Sequence, residues 1–476
     1  MGALCGIITG ADAAAVRGKR YWLDCVSGMT RALKHRGDCK HLVESDQFVV
    51  AGTTVDADDE VALLDGWPRD NNNLLLDVAG LRRRVLAARR PRDMRLRGAF
   101  AAAVQDGATW WLLRDRLGVK PLYYCVHDGA LLFASELKAL LASGAVSKHL
   151  NLASVDRYLT LRCVPGPDTI LQGVYRVKPG HALSFKAGRI DEIPFSAFPT
   201  DSVDVERDEA AEQLQELLRR AVEDAETEPM LWSAGIDCAS LAVLHAKRAR
   251  PVFVTLKSAW QDERWRAKES ARLIGLDLNV ARARALTETA IGRVAYHLDE
   301  PIADPSVLPL WLIAEQAGKT APLLLSGHGA DEMLGGYPRY HYLQKARKAK
   351  RLVPVGLLQD IAPALPPNAF VRRGERYLTS LSDSLETYCS LVAVFDHAER
   401  NALYTDAMRA AIHEKGGSSS IMRPLFAGQD LSRDVLSLDL NVALPDLLLA
   451  KCDRLFAAHG SCLAFPYLGD ALVDFA

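Results

Sequence analysis

The chain has 476 residues, 49% of them hydrophobic and 25% charged, with Lys+Arg 58 against Asp+Glu 59. That length makes two or three domains, and the composition excludes disorder as the main state. A net charge of -1 leaves no global positive excess to hold nucleic acid or anionic lipid, and no uncharged apolar run approaches the roughly 18–20 residues of a membrane span. The nine cysteines are scattered without Cys-x-x-Cys spacing, so neither a zinc site nor a disulfide framework is indicated. The N-terminus meets its first positive charge, Arg17, after its apolar residues, the wrong order for a secretory signal. A reducing cytoplasm is the expected location.

In chain order, roughly the first 200 residues read as short strands and turns. Trp110–Leu113 and Leu122–Val126 are apolar runs, and the second continues through His127-Asp128-Gly129 into Ala130–Ala134. Asp-Gly between apolar runs predicts a tight hairpin, because both central positions need positive φ. A stretch around Phe195–Asp204 with Pro199 and no periodicity marks a domain boundary. Beyond it, Arg207–Glu226 sets Ala210, Leu214, Leu217, Leu218 and Ala221 on one helical face. Short strands then alternate with helices. Met230–Ser233 precedes a helix from about Asp237, and Val252–Leu256 precedes one from about Asp262 to Ile274. Leu276–Ala281 and Leu323–Ser326 are further strands, and from about Tyr340 the pattern is mostly helical. Such alternation predicts a parallel sheet covered on both faces, with ligands at the carboxyl ends of its strands.

Two loops carry chemistry. Ser233-Ala234-Gly235-Ile236-Asp237-Cys238 places small residues between a strand and a helix, where bare amides and the helix dipole suit a pyrophosphate. Asp237 beside it suits Mg²⁺, or is simply an N-cap. Ser326-Gly327-His328-Gly329-Ala330-Asp331-Glu332-Met333-Leu334-Gly335-Gly336-Tyr337 follows an apolar strand with four glycines, two acids and a histidine. Such glycine density implies unusual dihedrals or close approach to a ligand, and the bland alternative is a flexible loop with Asp331 as a cap. Gly318-Lys319-Thr320 mimics the end of a Walker A loop, but it closes the Pro309–Ala317 helix, so Gly318 reads as a C-cap.

These loops, in this order, resemble the ATP-pyrophosphatase domain of the asparagine synthetase superfamily. Asp262-Glu263, Ala267, Ala271, Gly275, Asp299-Glu300-Pro301, Tyr337-Pro338-Arg339-Tyr340 and Leu444-Pro445-Asp446 with Lys451-Cys452-Asp453-Arg454 also sit where that family has them. In the N-terminal half, Cys5-Gly6-Ile7, His35-Arg36-Gly37-Asp38, Leu96–Phe100, Arg114–Tyr124 and Phe133–Lys138 resemble a class II glutamine amidotransferase domain. The resemblance implies a two-domain α/β and α+β chain. An Ntn-type αββα sandwich over about 5–195 would precede a doubly wound parallel sheet with a helical C-terminal part over about 206–476. It also implies ATP and Mg²⁺, a small-molecule or peptide carboxylate and amine as substrates, and no nucleic acid or membrane partner. The assembly stays open between monomer and homodimer. By resemblance Ser233, Gly235, Ile236, Asp237, Leu256, Ser326 and Gly327 serve the nucleotide, and Asp237 and Asp331 serve the metal.

The departures sharpen the expectation. The family's nucleophilic cysteine is the mature N-terminal residue, whereas Cys5 lies behind Met1-Gly2-Ala3-Leu4 and would serve only after their removal. The glutamine-binding Asn-Gly-Glu segment is not recognisable, so glutamine hydrolysis is expected to be lost. His328 stands where asparagine synthetases have Glu and β-lactam formers have Tyr. It reads either as the base for an attacking amine or as a loop histidine that only hydrogen-bonds. Ala234 and Cys238 replace a Gly and a Ser, and no position is assigned to the lysine that relatives carry in a basic segment beyond the point matching Phe475-Ala476. The leading expectation is an ATP-dependent, AMP-forming amide or lactam synthetase. A glutamine- or ammonia-using asparagine synthetase and a non-catalytic nucleotide-binding homologue stand as alternatives.

Overall fold

Along the Leu4–Thr9 strand, side chains alternate between two buried environments, as a period of two requires. Leu4 and Ile8 face one apolar cluster, and Cys5 and Ile7 face another. A strand buried on both faces needs layers on each side, and the computed structural model supplies them. It describes residues 2–9, 17–57, 60–198, 204–245, 248–255, 263–283, 287–350, 384–395, 397–426 and 431–476.

Two six-stranded antiparallel sheets stack in the N-terminal half. Leu4, Ile8, Val50, Leu63, Ala101, Leu112 and Phe133 fill the space between them. The helices Lys19–Ala32 and Leu137–Ala142 cover one outer face, and Val78–Ala87 covers the other. This is the expected αββα sandwich. Its helices were not individually legible. The expected hairpin is present: Tyr123–His127 pairs with Ala130–Ala134, and Asp128 and Gly129 hold φ of 49° and 75°.

In the C-terminal half, five parallel strands are ordered Asn279–Arg282, Arg250–Thr255, Pro229–Leu231, Leu323–Leu325, Cys462–Ala464. Strand order therefore reverses between Pro229–Leu231 and Leu323–Leu325, where Met230 pairs with Leu325. Arg207–Asp224 packs Leu218 and Val222 with Leu241 and Ala271 under one face. Val307–Ala317 buries Val307, Leu310, Trp311, Ala314 and Ala317 against the other, a helical stripe at the expected spacing.

Two sequence expectations need correction, and the expected Gly318 cap stands for a different reason. The edge strand begins at Asn279 rather than Leu276, because Leu276 and Leu278 pack on the helical layer instead of entering the ladder. Cys462–Ala464 is a strand within the stretch read as helical, since Leu463 finds a parallel partner in Leu324. Gly318 caps its helix without a left-handed φ (φ -61°), and what demands glycine is packing: a Cβ there would lie 2.8 Å from the His459 carbonyl oxygen.

The halves meet through buried charge. Arg36 donates to Asp65 (3.1 Å) and Glu136 (3.1 Å) of its own sandwich and to Asp453 (2.7 and 3.2 Å) of the other half. Lys120 pairs with Asp65 (3.6 Å) and Asp453 (3.1 Å). Arg176 holds Glu300 at 2.6 Å and also pairs with Asp446, while Asp299 accepts from the amides of Leu137 and Lys138. Three histidines, one from the sandwich and two from the C-terminal half, line up nearby. His35 lies edge-on to His297, His297 against Trp311, and Trp311 against His459.

Burial first, with His35, Lys138 and His459 against Glu136, pushes the His297 ring down to about 4. Burial, Arg293 and Lys319 against Glu315 do the same to His459. An unfolded histidine titrates near 6.5, so the unfolded chain takes up protons first as pH falls. Stability conferred by these neutral rings is present above about 6.5 and is lost as pH drops towards about 4. Urea melts of His459→Gln should therefore lose less stability between about pH 7 and about pH 5 than the parent chain does. An identical loss in both would remove the histidine from this account.

Candidate active site at the strand switch point

Where strand order reverses, the loops leaving two adjacent strands diverge and leave a crevice. Here a cavity of about 760 Å³ opens there, in the size range of a nucleotide or drug-sized ligand. Trp232 and Ser233 follow one strand and Ser326 and Gly327 the other, and all four line it. The two loops touch. A Cβ on Gly327 would lie 3.1 Å from the Asp237 Cβ and 3.2 Å from the Cys238 amide nitrogen, so a side chain there would press the helix start back by a few tenths of an ångström.

That helix, Ile236–Leu244, begins at Gly235 with no side-chain cap. The amides of its first turn are thus without side-chain partners, the arrangement that receives anions. Asp237 is inside the first turn, which removes its reading as an N-cap. Ala234 lies outside the left-handed region of φ, so its methyl carries no backbone strain. The Cys238 thiol receives the Ser233 hydroxyl at 3.4 Å.

Asp331 stands on the short helix Ala330–Leu334, whose N-cap Gly329 has φ 96°. Its carboxylate lies over Gly336, where any Cβ would collide with Oδ1. Asp237 and Asp331 face the same cavity. Burial and then the Asp331 charge push the Asp237 carboxyl up, and burial pushes Asp331 up against the pull of Arg339. Two hard oxygen donors that repel each other suit Mg²⁺, which takes one or two carboxylates and completes its shell with phosphate oxygens and water. Among the described residues no group of three or more His, Cys, Asp and Glu forms a metal cage.

His328 lines the cavity, and its Nδ1 lies 2.6 Å from the Ser326 hydroxyl oxygen. Burial, then Lys451 against Asp304, pushes the ring down to about 4, so it is neutral throughout the physiological range. Lys451 donates to Asp304 (2.5 Å) and to Ser306 (2.7 Å), and Ser306 is on the cavity wall. Sequence reading placed Lys451 on a family-like helix without a role. A lysine directly after the apolar run Leu447–Ala450 is the signal that marks it, because burying an ammonium demands a partner. Glu332 and Tyr337 also face the cavity, with the Tyr337 hydroxyl donating to Glu332 and Arg339 stacked 3.8 Å over the Tyr337 ring.

The remaining candidates divide. Ser233, Asp237, Ser326, Gly327, His328 and Asp331 converge on the cavity. Gly235 and Ile236 sit at the helix start behind it, and the Ile236 side chain is 79% exposed, leaving only its backbone amide for an anion. Leu256 and Asp262 lie outside the described residues. Cys5 is far from this site. It is wholly buried in the sandwich, paired with Ala51 and Ala134. The residues before it are tied in: the amides of Gly2, Ala3 and Leu4 donate to Asp65, Thr53 and Ser135. Burial pushes its thiol well up. Iodoacetamide on the native protein should therefore modify the half-buried Cys39 before Cys5, read by peptide mass mapping. Preferential labelling of Cys5 would contradict this burial.

The asparagine synthase family model matches residues 209–476, more than half of the chain. The chain belongs to the asparagine synthase family. A glutamine amidotransferase domain model matches residues 92–196. Asparagine synthetase (glutamine-hydrolyzing) 1 of Bacillus subtilis is 26% identical over 412 residues, covering 80% of this chain and 62% of that protein. Asparagine synthetase (glutamine-hydrolyzing) 3 of the same organism is 28% identical over 273 residues, covering 52% and 44%. The chain spans about three fifths of the length of the relatives it matches over most of its own. A solved structure of the allosteric regulatory enzyme of purine biosynthesis matches at 12% identity and TM-score 0.26, over 68% of this chain and 89% of that one, too slight a likeness to argue from. Among the described residues no helix is long and apolar enough to cross a membrane.

Proposed function

We propose that this asparagine synthase family member is an AMP- and pyrophosphate-forming amide or lactam synthetase whose amidotransferase-like half does not hydrolyse glutamine. The observation that carries the reading is the convergence of Asp237 and Asp331 on one cavity, beside a helix start whose first amides have no side-chain cap. ATP would lay its phosphates against the amides of the Ser233–Asp237 turn, with Ser326 and Gly327 against the nucleoside. Bound between Asp237 and Asp331, Mg²⁺ would neutralise charge that develops on the phosphate oxygens. A carboxylate substrate then attacks the α-phosphorus, pyrophosphate leaves, and the acyl-adenylate is open to an amine.

His328 is the proposed acceptor of the amine's proton. Its neutral ring is ready to accept, although its basicity in the empty cavity is low for the task. The negative charge of a bound triphosphate would raise that basicity, so base strength and substrate occupancy are coupled. Burial of Cys5 near the start of its strand, behind hydrogen-bonded residues, supports loss of glutamine hydrolysis.

Pyrophosphate release from MgATP across a panel of carboxylates, each with and without amines, tests the reading. Carboxylate-dependent release supports it, and MgATP binding without release from any member sinks it in favour of a non-catalytic homologue. The names of the curated relatives favour a second reading, an asparagine synthetase. Aspartate-dependent release with ammonia would select it, and loss of glutamine-dependent product in Cys5→Ala would restore the glutaminase.

A further inference from the structure

We propose that Arg36 and Lys120 of the N-terminal sandwich are positioning residues for the cavity in the C-terminal half, acting through Asp453 to hold Lys451 beside Ser306 and His328. The inference rests on the reading of that cavity as a synthetase site and goes beyond it, giving the sandwich a role that needs no glutamine chemistry.

The geometry runs through one segment. Residues Asp439–Leu449 wind as a π-helix that continues directly into the α-helix Ala450–Ala457. One side of this segment is held by the sandwich. Asp446 pairs with Arg176 and accepts the Gly166 amide at 2.7 Å, and Asp453 is shared by Arg36 at 2.7 Å and Lys120 at 3.1 Å. The other side belongs to the cavity. Leu448 lines it, and Lys451 reaches Ser306 and Asp304 behind the wall that His328 shares. Asp453 and Lys451 are two residues apart on one helix, so a helix that slides or rotates at Asp453 moves Lys451 with it.

The clamp is costly to build. Arg36 and Lys120 are wholly buried, and ions removed from water are recovered only by close, multiple pairing. Both cations are spent on the same carboxylate of the opposite half. That investment fixes a helix that joins the interface to the cavity wall. Pi-helical segments are frequent at functional sites, and here one presents Asp446 to the sandwich and Leu448 to the cavity, with Asp453 and Lys451 on the helix that continues it.

The test needs no knowledge of the substrate. In full-length protein carrying labelled histidine, the His328 ring resonance is followed against pH. The groups facing that ring are Lys451, Asp304 and the Ser326 hydroxyl. Lys451→Met gives the size of the Lys451 effect. The charge-neutral double variant Lys120→Met with Asp453→Asn should fold and move the His328 midpoint upward by about one pH unit, because the ammonium drifts from the ring. It should leave MgATP affinity, read by calorimetry, within about twofold of the parent, since the phosphate loops are untouched. An unchanged midpoint in a folded double variant overturns the proposal, as does an unchanged midpoint in Lys451→Met. Should the double variant fail to fold, Asp453→Glu keeps the charge and lengthens the arm. The same upward shift, smaller, is expected there, and no shift overturns the proposal. Failure of the parent chain to bind MgATP would instead count against the synthetase reading, with the His328 result standing apart from it.

Discussion

Asn in place of Asp237 or of Asp331 should lower pyrophosphate release by about 10²–10³-fold, while the protein stays folded. Both side chains keep their shape in this exchange, so neither the contact of Gly327 with Asp237 nor the seat of Asp331 over Gly336 is disturbed. What is lost is negative charge. Each carboxyl is pushed up, Asp237 by burial and by Asp331, and Asp331 by burial. Removing one charge therefore relieves repulsion in the empty site and should leave the melting temperature unchanged or slightly raised. In the proposed site the same change would remove one of the two carboxylates that hold the metal. Stability and activity should thus move in opposite directions. The pair of measurements is thermal melting without nucleotide and pyrophosphate release with MgATP. A variant that melts early and loses activity in proportion would show a structural pair and sink the metal-site reading.

Replacing Arg176 by Met should destabilise the chain by about 3–5 kcal/mol, measured by urea unfolding. Arg176 is buried and serves two carboxylates of the opposite half, Glu300 at 2.6 Å and Asp446, and donates to the Val164 carbonyl oxygen at 2.6 Å. Burial already pushes the Glu300 carboxyl up in spite of Arg176 and Arg454. With the guanidinium gone, two buried acids lose their direct ion-pair partner and keep only the more distant field of neighbours such as Arg454, so the fold must either protonate them or admit water. The loss should shrink at low pH, where the orphaned carboxyls are neutral. Arg219, whose partners Glu216 and Glu223 are on the exposed face of one helix, is the control, and its replacement should change little. A loss at Arg176 no larger than at Arg219 would mean that the halves do not depend on this pair.

The strand–helix rhythm and the two glycine-bearing loops were legible because they are local. Leu218 and Val222 sit a helical turn apart, and the Asp128-Gly129 turn needs its positive φ whatever surrounds it. Cys462–Ala464 was not legible, since three residues acquire strand character only from Leu323–Leu325 beside them. Leu276 and Leu278 are apolar residues that satisfy a strand pattern and a helix-packing pattern equally, and the layer beneath them decided between the two. At the site, Asp237 announced itself through a turn of small residues and Asp331 through a glycine-rich loop. Lys451 did not, because its partners Asp304 and Ser306 lie about 145 positions away in the chain.

By resemblance, the motifs of the sequence alone pointed to the family and to a sandwich followed by a parallel sheet, and turn chemistry, periodicity and loop composition, being properties of neighbours in the chain, determined the strand–helix alternation and singled out two candidate loops. Only the tertiary structure decided that Asp237 and Asp331 share a cavity, that Cys5 is sealed in mid-sheet and that Asp453 ties the sandwich to the helix bearing Lys451. The reason is physical: burial and electrostatic pairing depend on distance through space, which segments far apart in sequence acquire only when the layers pack.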